Sequence, residues 1–136
     1  MKPYKISLKK IHTPNTESVL IPINAFDSIP INVKRFFYIF NLKNSDLRGG
    51  HAHKKITQCI ISINGTFEIK SSDAFKSQYF KLTNPTEALI VPPLNWIEIY
   101  NFSSKAIILV TADDVYDEKE YIRDFSQLNK YENSIL

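Results

Sequence analysis

Between Val33 and Thr111 the chain is a succession of short apolar segments, rich in β-branched and aromatic residues and punctuated by turn residues. That pattern predicts strands and leaves little room for helix. Val33 to Leu42 (VKRFFYIFNL) is the strongest of these segments, and Ser18 to Ile23 precedes it. His51 to Ile63 continues the pattern, with Cys59 to Ile63 reading as a buried strand. Asn64-Gly65 reads as a hairpin signal before Thr66 to Lys70. Gln78 to Leu82, Ala88 to Val91, Trp96 to Asn101 and Ala106 to Thr111 follow, and only Glu118 to Leu128 suits a short helix. Many short strands at close spacing imply an all-β sandwich or barrel. At 136 residues the expectation is one domain spanning 1–136.

Charge and cysteine content exclude several classes. The net charge of +3 is mild, and both signs are scattered along the chain, so no nucleic-acid footprint is present. Cys59 is the sole cysteine, which rules out an intrachain disulfide and fits a reducing compartment. No apolar stretch suits a signal peptide or a membrane span. A cytoplasmic protein without membrane or nucleic-acid partners is the expectation.

The chemistry concentrates in one short motif. Gly49, Gly50 and Gly65 are the only glycines, and two of them precede His51-Ala52-His53, which holds two of the three histidines. In a strand, residues two apart share a face, so both imidazoles project together. Glycines before them allow a sharp turn or a close backbone approach. Two imidazoles aimed at one point suit a metal site or a proton-transfer site. His12 lacks such a context and is expected at the surface.

The motif resembles the first motif of the cupins: glycine, His-x-His, a short gap, Glu, six residues, Gly. Gln58 stands where the cupin Glu would be. In the stretch Pro92 to Asn101, Ile97 stands where the second cupin motif has its ligand histidine. The resemblance implies a cupin-type double-stranded β-helix, or jelly roll, with a short C-terminal helical segment. Two imidazoles, an amide and an isoleucine make a poor donor set for a transition metal. The pair therefore reads as a general acid–base couple with ordinary pKa values near 6.5, and neither metal nor cofactor is expected.

A closer resemblance rests on longer stretches. Arg48 to Lys55 (RGGHAHKK), Val33 to Ile39, Ile90-Val91-Pro92-Pro93 with Trp96 and Glu98, Asn101-Phe102-Ser103, and Tyr116 to Asp124 (YDEKEYIRD) are similar to the dTDP-sugar 3,4-ketoisomerases of the WxcM-like cupin family. The similarity runs from about Ile29 to Leu128 in the right order. It implies a homodimer that moves the carbonyl of dTDP-4-keto-6-deoxyglucose from C4 to C3 without a metal. The product would serve deoxyaminosugar biosynthesis for surface polysaccharide such as the O-antigen of lipopolysaccharide.

On that resemblance His51 and His53 are the acid–base pair, and Tyr38 and Arg35 orient the sugar or stabilise its oxyanion. Arg48 and Lys54 are the candidates for the diphosphate, and Gln58, Trp96 and Glu98 are further substrate-binding candidates. Strand alternation separates Arg35 from Tyr38, so a bulge is needed for both to line one site. Tyr116 and Tyr121 read as packing residues. The segment Asn15 to Leu20 departs from the family, which carries an arginine there where this chain has Glu17. That departure bears on the C4 configuration of the product. A non-catalytic sugar-nucleotide-binding cupin and a sugar-nucleotide epimerase are the alternative classes.

Overall fold

The computed structural model describes residues 1–135, with side chains described to Tyr131. Twelve strands carry the fold. They are β1 (Tyr4–Ser7), β2 (Ile11–His12), β3 (Val19–Leu20), β4 (Arg35–Ile39), β5 (Arg48–His53) and β6 (Gln58–Asn64), then β7 (Phe67–Ser72), β8 (Ser77–Leu82), β9 (Glu87–Val91), β10 (Trp96–Tyr100), β11 (Ile107–Ala112) and β12 (Tyr121–Ile122). Two five-stranded sheets face each other, in the orders β1-β9-β6-β11-β4 and β12-β5-β10-β7-β8, and β2-β3 forms a separate hairpin. Every ladder among the named strands is antiparallel. This is the all-β jelly roll that the strand pattern and the cupin resemblance predicted.

Alternation along each strand fills the space between the sheets. Ile60 on β6, Phe67 and Ile69 on β7, Ile97 and Ile99 on β10, and Ile108 and Val110 on β11 meet there, with Leu82, Leu89 and Phe102. Each such side chain contributes about 1.5–3 kcal/mol when removed from water. The opposite face of the first sheet is also covered: Cys59 and Ile61 pack with Leu8, Ile29 and Ile31. Burial on both faces is why Cys59 to Ile63 reads as a continuous apolar run rather than an alternating one.

A third cluster joins Ala52, Ile122 and Leu128, with Leu94, Trp96 and Tyr131 against it. It fastens the C-terminal segment to the outer face of the second sheet. The predicted helix over Glu118 to Leu128 is not what forms there. Short 3₁₀ turns at Glu118–Glu120 and Phe125–Gln127 flank β12, and the helix α1 comes later, at Leu128–Ile135. Asp117 and Asp124 cap the two turns by accepting from Lys119 N and Ser126 N. Between the turns, Tyr121 and Ile122 are drawn into the sheet opposite His53 and Ala52. Among the described residues no helix is long and apolar enough to cross a membrane.

Asn64-Gly65 differs from its hairpin reading as well. The two strands it joins lie in different sheets. Gly65, at φ +73°, turns the chain across the sandwich instead, where its carbonyl accepts from Ser62 Oγ at 2.6 Å. The hairpin proper is β7–β8, closed around Asp73, whose Oδ1 accepts from Phe75 N and Lys76 N.

The feature that positions the histidines is an irregularity in β5. Its register against β10 shifts between Ile97 and Glu98: Ile97 faces His51, and Glu98 faces Gly49. Gly50 is thereby the extra residue of a bulge, and Gly49 and Gly50 sit at φ +83° and +76°. A methyl at Gly49 would overlap the Ile97 carbonyl oxygen, whereas one at Gly50 would enter open space. Gly50→Ala is therefore expected to cost only backbone strain, about 1–3 kcal/mol. Gly49→Ala adds a clash with fixed backbone. Urea midpoints should fall further for Gly49→Ala than for Gly50→Ala, and equal losses would contradict this account of the bulge.

Candidate active site

The bulge reverses strand parity at one point. Arg48 and His51 are three residues apart, which in a regular strand puts them on opposite faces. With Gly50 inserted, both line one cleft between the sheets. This cleft has a volume of about 580 Å³. Arg35, Phe37, Gln58, Ile60, Ile97, Ile99, Val110, Tyr121 and Arg123 also line it. Among the described lining residues there is no Asp or Glu, and the cleft presents guanidiniums from Arg35, Arg48 and Arg123.

His51 and His53 lie on one face of β5, with ring centroids 5.2 Å apart and the rings edge to face. The Tyr121 ring packs against both, at 4.8 Å from His51 and 4.5 Å from His53. His51 borders the cleft, while His53 is buried behind it and neither of its ring nitrogens has a hydrogen-bond partner among the described residues. The ordinary pKa values expected from sequence do not survive this setting. Burial, the His51 charge, Arg35 and Arg123 push His53 down to about 3. Burial, then Arg123 and Arg48, also lower His51, against the opposing pull of a hydrogen bond to the Gly49 backbone and of Glu118. Both imidazoles are neutral at pH 7, the form that accepts a proton.

The other predicted site residues divide sharply. Arg35, Arg48 and Gln58 line the cleft. The Arg35 guanidinium sits 4.7 Å from the Phe37 ring and 5.2 Å from that of Tyr116, with its Nη1 buried and unpartnered. The bulge invoked to unite Arg35 with Tyr38 is absent from β4, which pairs with β11 in unbroken register. Tyr38 only rims the cleft; its side chain is 62% exposed and stacks on Phe40 outside.

Trp96 and Glu98 lie outside the cleft, because Ile97 and Ile99 take the inward positions of β10. Trp96 packs edge-on against Phe125 at 5.5 Å and belongs to the cluster that fastens the C-terminal segment. Lys54 is also outside, with its ammonium 4.9 Å from the Tyr131 ring. Glu17, in the β2–β3 loop, does not line the cleft, and His12 is exposed on β2.

Two residues of the cleft were not singled out for chemistry by the sequence reading. Tyr121 was assigned to packing, yet it touches both histidines and borders the cleft. Arg123 lies in the YDEKEYIRD stretch and reaches the cleft through β12. The long match of that stretch was the available signal, but its link to the histidines depends on the pairing of Tyr121 with His53.

The family described as FdtA: WxcM-like, C-terminal, matches residues 1–133. The chain belongs to this family. It is 37% identical over 126 residues to the TDP-4-oxo-6-deoxy-α-D-glucose-3,4-oxoisomerase of Aneurinibacillus thermoaerophilus, covering 93% of this chain and 89% of that one. Among solved structures, QdtA, a sugar 3,4-ketoisomerase from Thermoanaerobacterium thermosaccharolyticum in complex with TDP, superposes with a TM-score of 0.91 at 30% identity, over 99% of this chain and 98% of that one. WlaRA, a TDP-fucose-3,4-ketoisomerase from Campylobacter jejuni, gives 0.91 at 34% identity, over 99% and 98%. With these relatives, the chain is an isomerase.

The buried histidine has a consequence for stability. Above about pH 6.5 His53 is neutral folded or unfolded and the term vanishes. As pH falls below that value the unfolded chain binds the proton and the folded chain does not, until the folded pKa of about 3 is reached. Stability is expected to drop through this window by up to about 1.4 kcal/mol per pH unit for this one group. Denaturant midpoints measured from pH 7 to pH 4 should fall less steeply for His53→Asn than for the wild type. Parallel slopes would show that His53 takes up its proton in the folded state.

Proposed function

We propose that the protein is a TDP-sugar 3,4-ketoisomerase that converts a TDP-linked 4-keto-6-deoxyhexose to its 3-keto isomer. The observation that carries this reading is a pair of neutral imidazoles, His51 at the wall of the cleft and His53 buried behind it, beside lining charges that are all cationic among the described residues. Such a cleft suits a nucleoside-diphosphate sugar whose reaction needs a base rather than an electrophile of high charge.

The chemistry follows from the substrate. The C4 ketone acidifies the C3 proton, and the His51 imidazole, neutral and at the cleft surface, takes it. O4 gains a proton as the enediol forms. The O3 proton then leaves, the C3 carbonyl closes, and C4 receives a proton. His53, edge to face with His51, is the second member of the acid–base pair. No atom is gained or lost, and the protons pass between neighbouring positions, so one cluster of groups suffices. Arg35, gripped by two aromatic rings with a free N–H, is placed to hold the oxygens that carry the developing charge. Gln58, buried in the same cleft and separated from Arg35 by β11, supplies an amide to a sugar oxygen. The reaction as written uses neither a metal nor a cofactor. The reading extends to a cytoplasmic enzyme serving the making of a deoxyaminosugar.

We also take the functional unit to be a homodimer. Strand β4 is an edge strand, and Phe36 and Tyr38 on it and Phe40 just past its end are all exposed. The β2–β3 hairpin, paired with neither sheet, exposes Ile11, Val19 and Leu20. An unpaired edge with aromatics on it, and an isolated apolar hairpin, are features that a second copy would cover. Light scattering during gel filtration is expected to give twice the chain mass, and Phe36→Asp with Phe40→Asp the single mass. A monomeric wild type would sink the dimer.

The reaction itself is tested with EDTA-treated protein and TDP-4-keto-6-deoxyglucose in deuterated water. Proton NMR should show loss of the C3 proton and growth of a 3-keto sugar, whose C4 signal gives its configuration. His51→Asn should lower turnover about 10²–10⁴-fold, the usual contribution of an acid–base group, while the fold stays intact. The acid limb of kcat/KM should fall below pH 6.5, because His51 is shifted downward. An unchanged spectrum from folded wild-type protein would leave a sugar-nucleotide-binding role, and inversion of a ring carbon without carbonyl transfer would make it an epimerase.

A further inference from the structure

Arg123 reaches the cleft by an unusual route. It follows β12 in the C-terminal segment, which crosses the edge of the second sheet as a strap. The strap is fastened firmly: Tyr121 and Ile122 pair with His53 and Ala52, and the Glu120 carboxylate accepts from the backbone N–H groups of Lys55 and Ile56. The Arg123 guanidinium lies 4.5 Å from the Tyr121 ring, the same ring that packs on both imidazoles. Its place relative to the histidines is therefore set by backbone pairing and stacking.

Its donors are occupied by a carboxylate of the same strap. Arg123 Nε donates to Glu118 Oε1 at 2.5 Å, and Nη2 donates to Oε2 at 2.9 Å. Tyr116 Oη donates to Oε2 of the same carboxylate at 2.6 Å. The arginine presents to Glu118 the two-pronged edge that fits a phosphate equally well. Both side chains are more than half exposed, at 53% and 56%, so water screens the pair and exchange of partner is cheap. Glu118 itself does not line the cleft, whereas Arg123 does.

Resting on the reading given above, we propose that Arg123 binds the diphosphate of the sugar nucleotide, and that Glu118 is an internal stand-in for that diphosphate, released when substrate arrives. Lys54, the cation suggested by the sequence, is turned to Tyr131 on the outer surface. Arg35 is enclosed between two aromatic rings and suits the sugar end. Arg48 and Arg123 are then the pair left for the diphosphate, whose two negative charges they match. Glu118 keeps the guanidinium aimed and its charge partly neutralised in the empty enzyme. Its carboxyl is held down to about 2, first by the Arg123 donors and then by Tyr116, so it stays ionised wherever the enzyme works.

A competitor and a ligand give opposite signs when each is removed, and a plain structural clamp does not. Isothermal titration of the full chain with TDP should show Arg123→Gln weakening binding tenfold or more, and Glu118→Gln tightening it severalfold. Arg123→Lys should fall between wild type and Arg123→Gln, because it keeps the charge and loses the fork. KM for the sugar nucleotide should follow TDP affinity in each variant, with kcat changed far less. Loss of affinity in both Arg123→Gln and Glu118→Gln would make the pair a clamp on the strap and overturn the proposal. TDP binding within twofold of wild type in Arg123→Gln would do the same. Should Arg123→Gln melt early, Arg123→Lys decides alone: wild-type affinity there removes the fork from the argument. Failure is assigned separately to the functional reading if the wild-type protein neither binds TDP nor turns over the sugar nucleotide.

Discussion

Everything in the cleft depends on one backbone irregularity, the bulge at Gly49-Gly50. A regular β5 would send Arg48 and His51 to opposite faces of the second sheet, one toward the cleft and one toward the C-terminal segment. The extra residue costs two left-handed conformations, which only glycine adopts without strain, and a backbone approach to Ile97 that leaves no room for a methyl. In return a guanidinium and an imidazole from one strand share a wall. Two of the chain's three glycines are used here, and the third turns the chain between the sheets.

The second dependence is on the C-terminal strap. Trp96 and Glu98 stand on the outer face of β10, and the apolar half of that face is where Leu128, Ile122 and Trp96 meet. This packing lies outside the sandwich and away from the cleft, yet it holds the strap that carries Tyr121 and Arg123. Trp96 thus bears on the cleft through the packing that holds the strap. The same strap buries the two imidazoles. Burial is the largest cause of the lowered pKa values, ahead of the neighbouring charges.

The strand pattern made the fold legible, because apolar alternation and burial are local signals that survive in a single sequence. The His-x-His pair was legible for the same reason: a spacing of two fixes a shared face. Placement across elements was not legible in the same way. Tyr38 and Arg35 sit in a strand with no bulge, while the bulge lies in a different strand, at the glycines. Trp96 and Glu98 match the family stretch by position, but strand parity turns them outward. Lys54 follows the motif directly, yet the chain has by then left the cleft and its side chain packs on Tyr131. Arg123 could not be placed from sequence, since its access to the cleft comes from the pairing of β12 with β5 across about seventy residues of chain. The tail had helical composition, and two Asp caps with a two-residue strand broke it into turns instead.

The electrostatics of the cleft bind these features into one argument. Guanidiniums beside an imidazole repel its proton, so on the proposed reading the field that would attract substrate also lowers the basicity of the group that would act on it. Burial adds to the same effect. A base held well below its ordinary pKa is unprotonated and ready at neutral pH, but it pulls less strongly on a carbon acid. On the assignment of Arg48 and Arg123 to the diphosphate, the arriving anion offsets the charges that depress His51, and its basicity recovers only when substrate is in place. In the empty enzyme Glu118 gives part of that compensation to Arg123, and its charge raises the His51 pKa while the arginines lower it. The carboxylate on the strap and, on the proposed reading, the diphosphate of the ligand are then alternative solutions to one problem: how to keep a guanidinium beside a neutral imidazole without leaving its charge unanswered.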